Sequence, residues 1–180
     1  GGEERRRGVG AEVRVHGDGV GGIAAERLPG VVLGGRADVA ALGVEHEHDV
    51  GMALPDVAAD VLQRALGALG RIDILVNNAG TVGRVGIEET TDEVWERDLN
   101  TTLRGSFYCI QAVLPHMKAR GGGKIINISS VSGKIGGNVS RTPGSQHGQS
   151  GPAYAAAKGG LIALTKWIAR DVGRHGIALM

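Results

Sequence analysis

The sequence is poor in aromatic residues and in cysteine, and it contains no apolar run long enough to cross a membrane. Aromatic side chains form 3% of the 180 residues, so Val, Ile, Leu and Ala are expected to fill the core. Cys109 is the single cysteine, which excludes an internal disulfide and favours a cytoplasmic protein. The first residues lack an apolar signal core. We therefore expect a single globular domain without a membrane partner.

The chain also lacks an excess of charge of either sign. Its 20 basic and 19 acidic residues are interspersed and leave a formal net charge of +1. Such a balance does not predict the basic surface that a nucleic-acid partner would require. His46 and His48 could share one face of a strand, but the sequence offers no third ligand beside them. No metal site is therefore predicted.

What the sequence does contain is a tyrosine and a lysine four residues apart, Tyr154 and Lys158, in the segment P-A-Y-A-A-A-K-G-G. On a helix, two residues with this spacing lie one turn apart on the same face. A phenol ionises near pH 10, and a neighbouring ammonium favours the ionised form. Tyr154 could then act as a general acid or base on an alcohol or a ketone. The same spacing also occurs on ordinary exposed helices, so the rest of the chain must distinguish the two readings.

The hydrophobic pattern alternates between short strands and longer helices. Strands are predicted at 11–15, 31–33, 44–48, 72–76 and 124–128, and helices at 24–28, 56–69, 92–120 and 153–174, with a kink at Pro115. This alternation predicts an α/β fold, a doubly wound, Rossmann-like parallel sheet with helices on both faces. Residues 1–10 carry no periodic signal and are predicted to be a disordered lead, followed by one domain over 11–180.

A glycine-rich turn, H-G-D-G-V-G-G-I, follows the first predicted strand and contains Gly17 and Gly21. A strand, such a turn and a helix together are typical of a dinucleotide phosphate site. At the end of the second strand, Gly35 and Arg36 stand where an acidic residue would bind the adenosine ribose of NAD. The arginine favours NADP(H) over NAD(H).

Four motifs occur in order along the chain: N-N-A-G at 77–80, D-L-N at 98–100, I-I-N-I-S-S-V-S-G at 125–133 and Y-A-A-A-K at 154–158. With these motifs the sequence resembles the short-chain dehydrogenase/reductase family over about residues 13–176. The resemblance implies hydride transfer between NAD(P)(H) and an alcohol or carbonyl substrate. It also implies a homo-oligomer, a dimer or a tetramer.

The resemblance implies a catalytic tetrad of Asn100, Ser130, Tyr154 and Lys158. In it, Tyr154 exchanges the substrate proton, Lys158 assists the tyrosine and holds the nicotinamide ribose, and Ser130 hydrogen-bonds the substrate oxygen. Asn100 anchors a water that links the lysine to solvent.

The resemblance also implies the cofactor contacts. Gly17 and Gly21 match the first two glycines of the phosphate loop, and Asp49 matches an aspartate that contacts adenine. Asn77 and Gly80 match the strand end beside the cofactor, and Tyr154 and Lys158 are implied to contact the cofactor as well.

Several features depart from the family pattern. His16 replaces a threonine, the loop reads G-G-I, and the first helix is about two turns short. The stretch at 138–151 is longer than usual, and the chain stops at Met180, where the next strand is expected to begin. These departures leave an alternative open: a truncated, inactive homologue that binds nucleotide or associates with other subunits.

The motifs also leave the substrate open between a 3-oxoacyl reductase type and a sugar or polyol dehydrogenase type. A nucleotide-sugar epimerase is less favoured because N-N-A-G belongs to the shorter oxidoreductase branch.

Overall fold

The computed structural model describes residues 31–34, 39–42, 54–138 and 150–180, with side chains from residue 55 onward. Five short strands form one sheet in the spatial order of their numbers. They are β1 (Val31–Gly34), β2 (Val39–Leu42), β3 (Ile74–Asn77), β4 (Gly123–Asn127) and β5 (Ile177–Leu179). The predicted strands at 11–15 and 44–48, together with Gly17, Gly21, Arg36 and Asp49, lie outside the described residues.

The sheet is parallel from β2 to β5, as the alternating pattern predicts. β2 pairs with β3, β3 with β4 and β4 with β5, all in the same direction. β1 is the exception, since it runs antiparallel to β2. β2 was not predicted, because the run V-A-A-L has only four residues and two of them are alanine, which is depleted in strands.

In the described part of the chain, five α-helices accompany the sheet. They are α1 (Leu54–Leu69), α2 (Asp92–Leu99), α3 (Gly105–Ala119), α4 (Val131–Ile135) and α5 (Pro152–Val172). The crossovers from β2 through to β5 all step in one direction across the sheet, so right-handed connections place α1, α3 and α5 on the same face. The second layer of helices that the sequence predicts is not seen within the part of the chain that the structure describes.

The core lies between this helix layer and the sheet. Leu75 of β3 and Ile125 of β4 are partners in the sheet register, and both are fully buried. Helices α1, α3 and α5 cover them with a cluster of aliphatic residues: Ala58, Leu62, Ala65, Ile110, Val113, Met117, Ile168 and Val172. This cluster contains no aromatic side chain, in keeping with their scarcity in the sequence.

A single π-helical turn, Asn100–Arg104, separates α2 from α3. The backbone N–H of Gly105 bonds to the carbonyl of Asn100, five residues earlier. The sequence predicted one helix over 92–120 with a kink at Pro115, and the break lies instead at Asn100. Pro115 is accommodated inside α3, which continues to Ala119. Single π turns inside helices are frequent at functional sites.

A further strand, β5, follows α5. A 3₁₀ turn, Gly173–His175, follows α5, and Gly176 adopts a positive φ of 71° before β5 begins at Ile177. β5 pairs with β4, and Met180 extends the ladder by a bond from its N–H to Ile125 O at 2.9 Å. The next strand, predicted to begin at Met180, therefore begins three residues earlier, at Ile177. Among the described helices, none is both long and apolar enough to span a bilayer.

Candidate active site

The carboxyl ends of β3 and β4 lie side by side and are joined through their terminal asparagines. Asn77 Nδ2 donates to Asn127 Oδ1 at 2.8 Å, and Asn127 Nδ2 donates to Thr165 Oγ1 at 2.9 Å. This row of polar groups ties both strand ends to α5. Open α/β sheets bind their ligands at this edge.

Lys158 reaches this edge from α5. Its side chain is only 4% exposed, and Nζ donates to the carbonyl of Ile128 at 2.5 Å. Because burial disfavours the charged ammonium, the pKa of Lys158 is lowered from its usual value. Nζ lies 5.8 Å from the centroid of the Tyr154 ring. The lysine is therefore held between the end of β4 and the tyrosine one turn before it.

Ser130 and Tyr154 line the same pocket, a cavity of about 540 Å³ beside α4. The two predicted serines have different partners. Ser129 Oγ donates to the carbonyl of Lys158 at 2.9 Å, whereas Ser130 Oγ accepts the N–H of Ser132 at 3.2 Å and caps α4. The structure thus brings Ser130, Tyr154 and Lys158 together at one edge of the sheet.

Helix α4 was not predicted, although its ends carry the usual signals. Ser130 precedes it as the N-cap, and Gly136 follows with a positive φ of 83°. Gly133 allows this helix to meet α5 closely, since a Cβ there would lie 2.6 Å from the carbonyl carbon of Lys158. The close approach of the two backbones sets the position of Ser130 relative to Lys158.

Asn100 is buried in the π turn, but the structure does not join it directly to Lys158. Its Nδ2 donates to Glu96 Oε2 at 3.2 Å, and its Oδ1 has no hydrogen-bond partner among the described residues. The hydroxyls of Thr101 and Thr102 are likewise buried without a partner there. These buried oxygens without hydrogen-bond partners form a polar region next to α5.

The backbone at Gly80 passes close to this polar region. A Cβ at residue 80 would lie 3.3 Å from Thr102 Oγ1 and 3.5 Å from Lys158 Nζ. The segment after β3 therefore packs beside the lysine and the Thr102 hydroxyl. Sequence reasoning missed Thr102, which lies two residues after a predicted site residue.

Asp98 holds the segment that follows β3. Its carboxylate is fully buried and accepts hydrogen bonds from the N–H of Gly83 at 2.6 Å and from Thr81 Oγ1 at 2.9 Å. Arg97 pairs with the same carboxylate at 3.1 Å. The carbonyl of Gly83 in turn accepts the N–H of Gly151, the residue before α5. The loop is thus fastened to α2 on one side and to the tyrosine helix on the other.

The segment predicted at 138–151 begins and ends at the pocket. Ser150 N–H donates to the carbonyl of Asn138 at 2.8 Å, and Ser150 Oγ accepts the N–H of Asn138 at 2.9 Å. The residues between them lie outside the described part of the chain. Within the described residues, no three His, Cys, Asp or Glu side chains are grouped as a metal site would require.

Residues 46–180 match the family model for short chain dehydrogenases. The chain is 39% identical over 113 residues to the probable galactose dehydrogenase GalD of Rhizobium meliloti, covering 63% of this chain and 40% of the relative. It is 32% identical over 143 residues to the 3-oxoacyl-[acyl-carrier-protein] reductase FabG of Staphylococcus epidermidis, covering 79% of this chain and 54% of the relative. The chain thus spans about half the length of these curated relatives.

A solved structure agrees with this match. A crystal structure from Burkholderia xenovorans, assigned to the short-chain dehydrogenases/reductases, superimposes with a TM-score of 0.59 at 30% identity. The aligned part covers 69% of this chain and 44% of the other. The chain therefore belongs to the short-chain dehydrogenase/reductase family.

Proposed function

We propose that the protein is an NAD(P)(H)-dependent oxidoreductase that interconverts an alcohol and a carbonyl. One observation carries the proposal: Ser130 and Tyr154 line the same pocket, with the Lys158 ammonium 5.8 Å from the tyrosine ring. Carbonyl reduction requires two such groups of a protein. One hydroxyl exchanges a proton with the substrate, and a second hydroxyl binds the substrate oxygen. The nicotinamide supplies the hydride chemistry when it is bound.

The described residues fit the nicotinamide end of such a cofactor. Asn77 Oδ1 is buried at the strand end without a described partner, and the Gly80 backbone passes so close that a Cβ there would lie 3.5 Å from Lys158 Nζ. Lys158 would hold the ribose, and Tyr154 would exchange the substrate proton. For Asn100 we propose the anchoring of a water through its orphaned oxygen.

For the other end of the cofactor, the proposal rests on the sequence. Gly17 and Gly21 would contact the pyrophosphate, Asp49 the adenine and Arg36 the ribose phosphate of NADP(H). A guanidinium suits a phosphate because it offers several N–H donors in one plane. We therefore propose NADP(H) as the preferred cofactor.

The test of this proposal is a calorimetric titration of the purified protein with NADPH and, separately, with NADH. We expect micromolar binding of NADPH and weaker binding of NADH, followed by NADPH consumption in a screen of carbonyl substrates. An Arg36→Asp variant should reverse the preference between the two cofactors. Absence of binding to a folded protein would contradict the proposal and support the alternative of an inactive homologue.

We also propose that the protein forms a homo-oligomer through α3 and α5. Their outer faces carry Phe107, which is 39% exposed, and Trp167, which is 65% exposed. These residues border a shallow apolar cavity of about 550 Å³ together with Leu103 and Leu164. Two large aromatic rings exposed on one apolar face are costly in water and typical of an interface core.

Trp167→Glu is expected to dissociate this oligomer. A charge placed in an apolar interface weakens association by roughly 2 kcal/mol or more, because the carboxylate must be desolvated. Sedimentation velocity should show the wild-type protein as a dimer or tetramer and the variant as a monomer. Ile87→Glu is the matched control, since Ile87 is 76% exposed outside this face. Equal association of all three proteins would contradict the proposal.

We propose a cytoplasmic location, since a chain whose one cysteine is a free thiol suits a reducing compartment. The only cysteine, Cys109, is buried in the core, and burial raises the pKa of its thiol to about 12. A thiol held in this state is unreactive and behaves as a small apolar side chain.

A further inference from the structure

Among the described residues that line the pocket beside Tyr154, Arg84 is the one cationic side chain, and it lies next to an apolar wall. Val82 and two exposed residues of α4, Val131 and Ile135, form that wall. Val131 and Ile135 are one helical turn apart and are 67% and 68% exposed. Among the described residues that line the pocket there is no Asp or Glu.

The three serines of the pocket already make hydrogen bonds to neighbouring groups of the protein. Ser130 Oγ accepts from the N–H of Ser132, and Ser132 Oγ lies 3.0 Å from Ser150 Oγ. Ser150 Oγ also accepts the N–H of Asn138. These hydroxyls bind α4 and the ends of the 138–151 segment. They therefore have fewer hydrogen bonds left to offer a polyol substrate.

Arg84 is positioned relative to Tyr154 by the backbone before it. Gly83 N–H bonds to Asp98, and the Gly83 carbonyl accepts the N–H of Gly151 at 2.7 Å, three residues before the tyrosine. The approach is so close that a side chain on Gly151 would collide with the Gly83 carbonyl. The cation is therefore tied to the helix that carries the proposed proton donor.

We propose that the substrate is an oxo acid or hydroxy acid whose carboxylate pairs with Arg84. Its carbon chain lies against Val131 and Ile135 while its carbonyl or alcohol meets Ser130 and Tyr154. A guanidinium has five N–H donors in a plane that matches a carboxylate, so it can bind one in addition to a partner within the protein. This inference rests on the proposed function for the reaction at Tyr154.

The test compares short straight-chain oxo acids with the corresponding amides, which have nearly the same shape and no charge. Binding is measured by calorimetry with the wild-type protein and with the variants Arg84→Gln and Arg84→Lys. We expect the wild type to bind the best acid about tenfold more tightly than its amide. Arg84→Gln should abolish this preference, and Arg84→Lys should keep part of it, because the charge remains but the paired donors are lost.

Arg170→Gln is the control, since it removes the same charge from an exposed position on α5. It should leave the preference for the acid unchanged. Equal binding of acid and amide, absence of binding, or a preference that persists in Arg84→Gln would overturn the inference. Binding does not require turnover, so an Arg84-dependent preference in a protein that consumes no NADPH would reject the proposed reaction and retain the carboxylate site.

Discussion

Replacing Tyr154 by phenylalanine is expected to lower the rate of carbonyl reduction by about 10²- to 10⁴-fold, the usual contribution of a positioned general acid or base. The ring keeps its place on α5 and its contact with Lys158, whose Nζ lies 5.8 Å from the ring centroid. Only the proton-exchanging oxygen is removed. Affinity for NADPH should therefore change by less than about twofold, since no bond to the cofactor need depend on that oxygen.

The chain provides a matched control for this change. Tyr108, the only other tyrosine, is half-buried against the core and lies away from the pocket. Tyr108→Phe should therefore retain nearly full turnover. Steady-state rates of the two variants report on the chemical step, and calorimetric titration with NADPH reports on cofactor binding. Undiminished turnover in Tyr154→Phe, or equal losses in both variants, would reject the assigned role.

Replacing Asp98 by alanine is expected to destabilise the protein by roughly 2–4 kcal/mol. The carboxylate is fully buried and accepts hydrogen bonds from the Gly83 N–H at 2.6 Å and from Thr81 Oγ1 at 2.9 Å. Alanine leaves the buried N–H of Gly83 without an acceptor and deprives Arg97 of its ion-pair partner. Because this loop passes from β3 to the pocket, cofactor affinity should fall as well.

Urea unfolding followed by circular dichroism measures the loss of stability. Asp98→Asn retains one oxygen acceptor and should lose less than the alanine variant. Asp171→Ala removes a carboxylate that is exposed near the end of α5 and should change the free energy of unfolding by at most about 0.5 kcal/mol. If Asp98→Ala were as stable as Asp171→Ala, the carboxylate would not hold the loop.

The fold could be predicted from the sequence where the hydrophobic pattern is strong. The strand I-L-V-N at 74–77 and the helix at 54–69 lie within two residues of their predicted bounds. Strand β2 and helix α4 were missed because four or five residues carry too little periodicity. The π turn at Asn100 was missed for a different reason, since its side chains have no pattern that distinguishes it from a continuous helix.

The sequence by itself determined the family, through four motifs that each follow a strand or lie on a helix. It also identified Tyr154 and Lys158 as one pair, because helical spacing is a local property. The tertiary structure alone decided that Ser129 binds α5 while Ser130 caps α4, and that Arg84 faces the same pocket as Tyr154. Those relations join residues far apart in the chain, and they depend on close backbone contacts at Gly83, Gly133 and Gly151 that no local pattern reports.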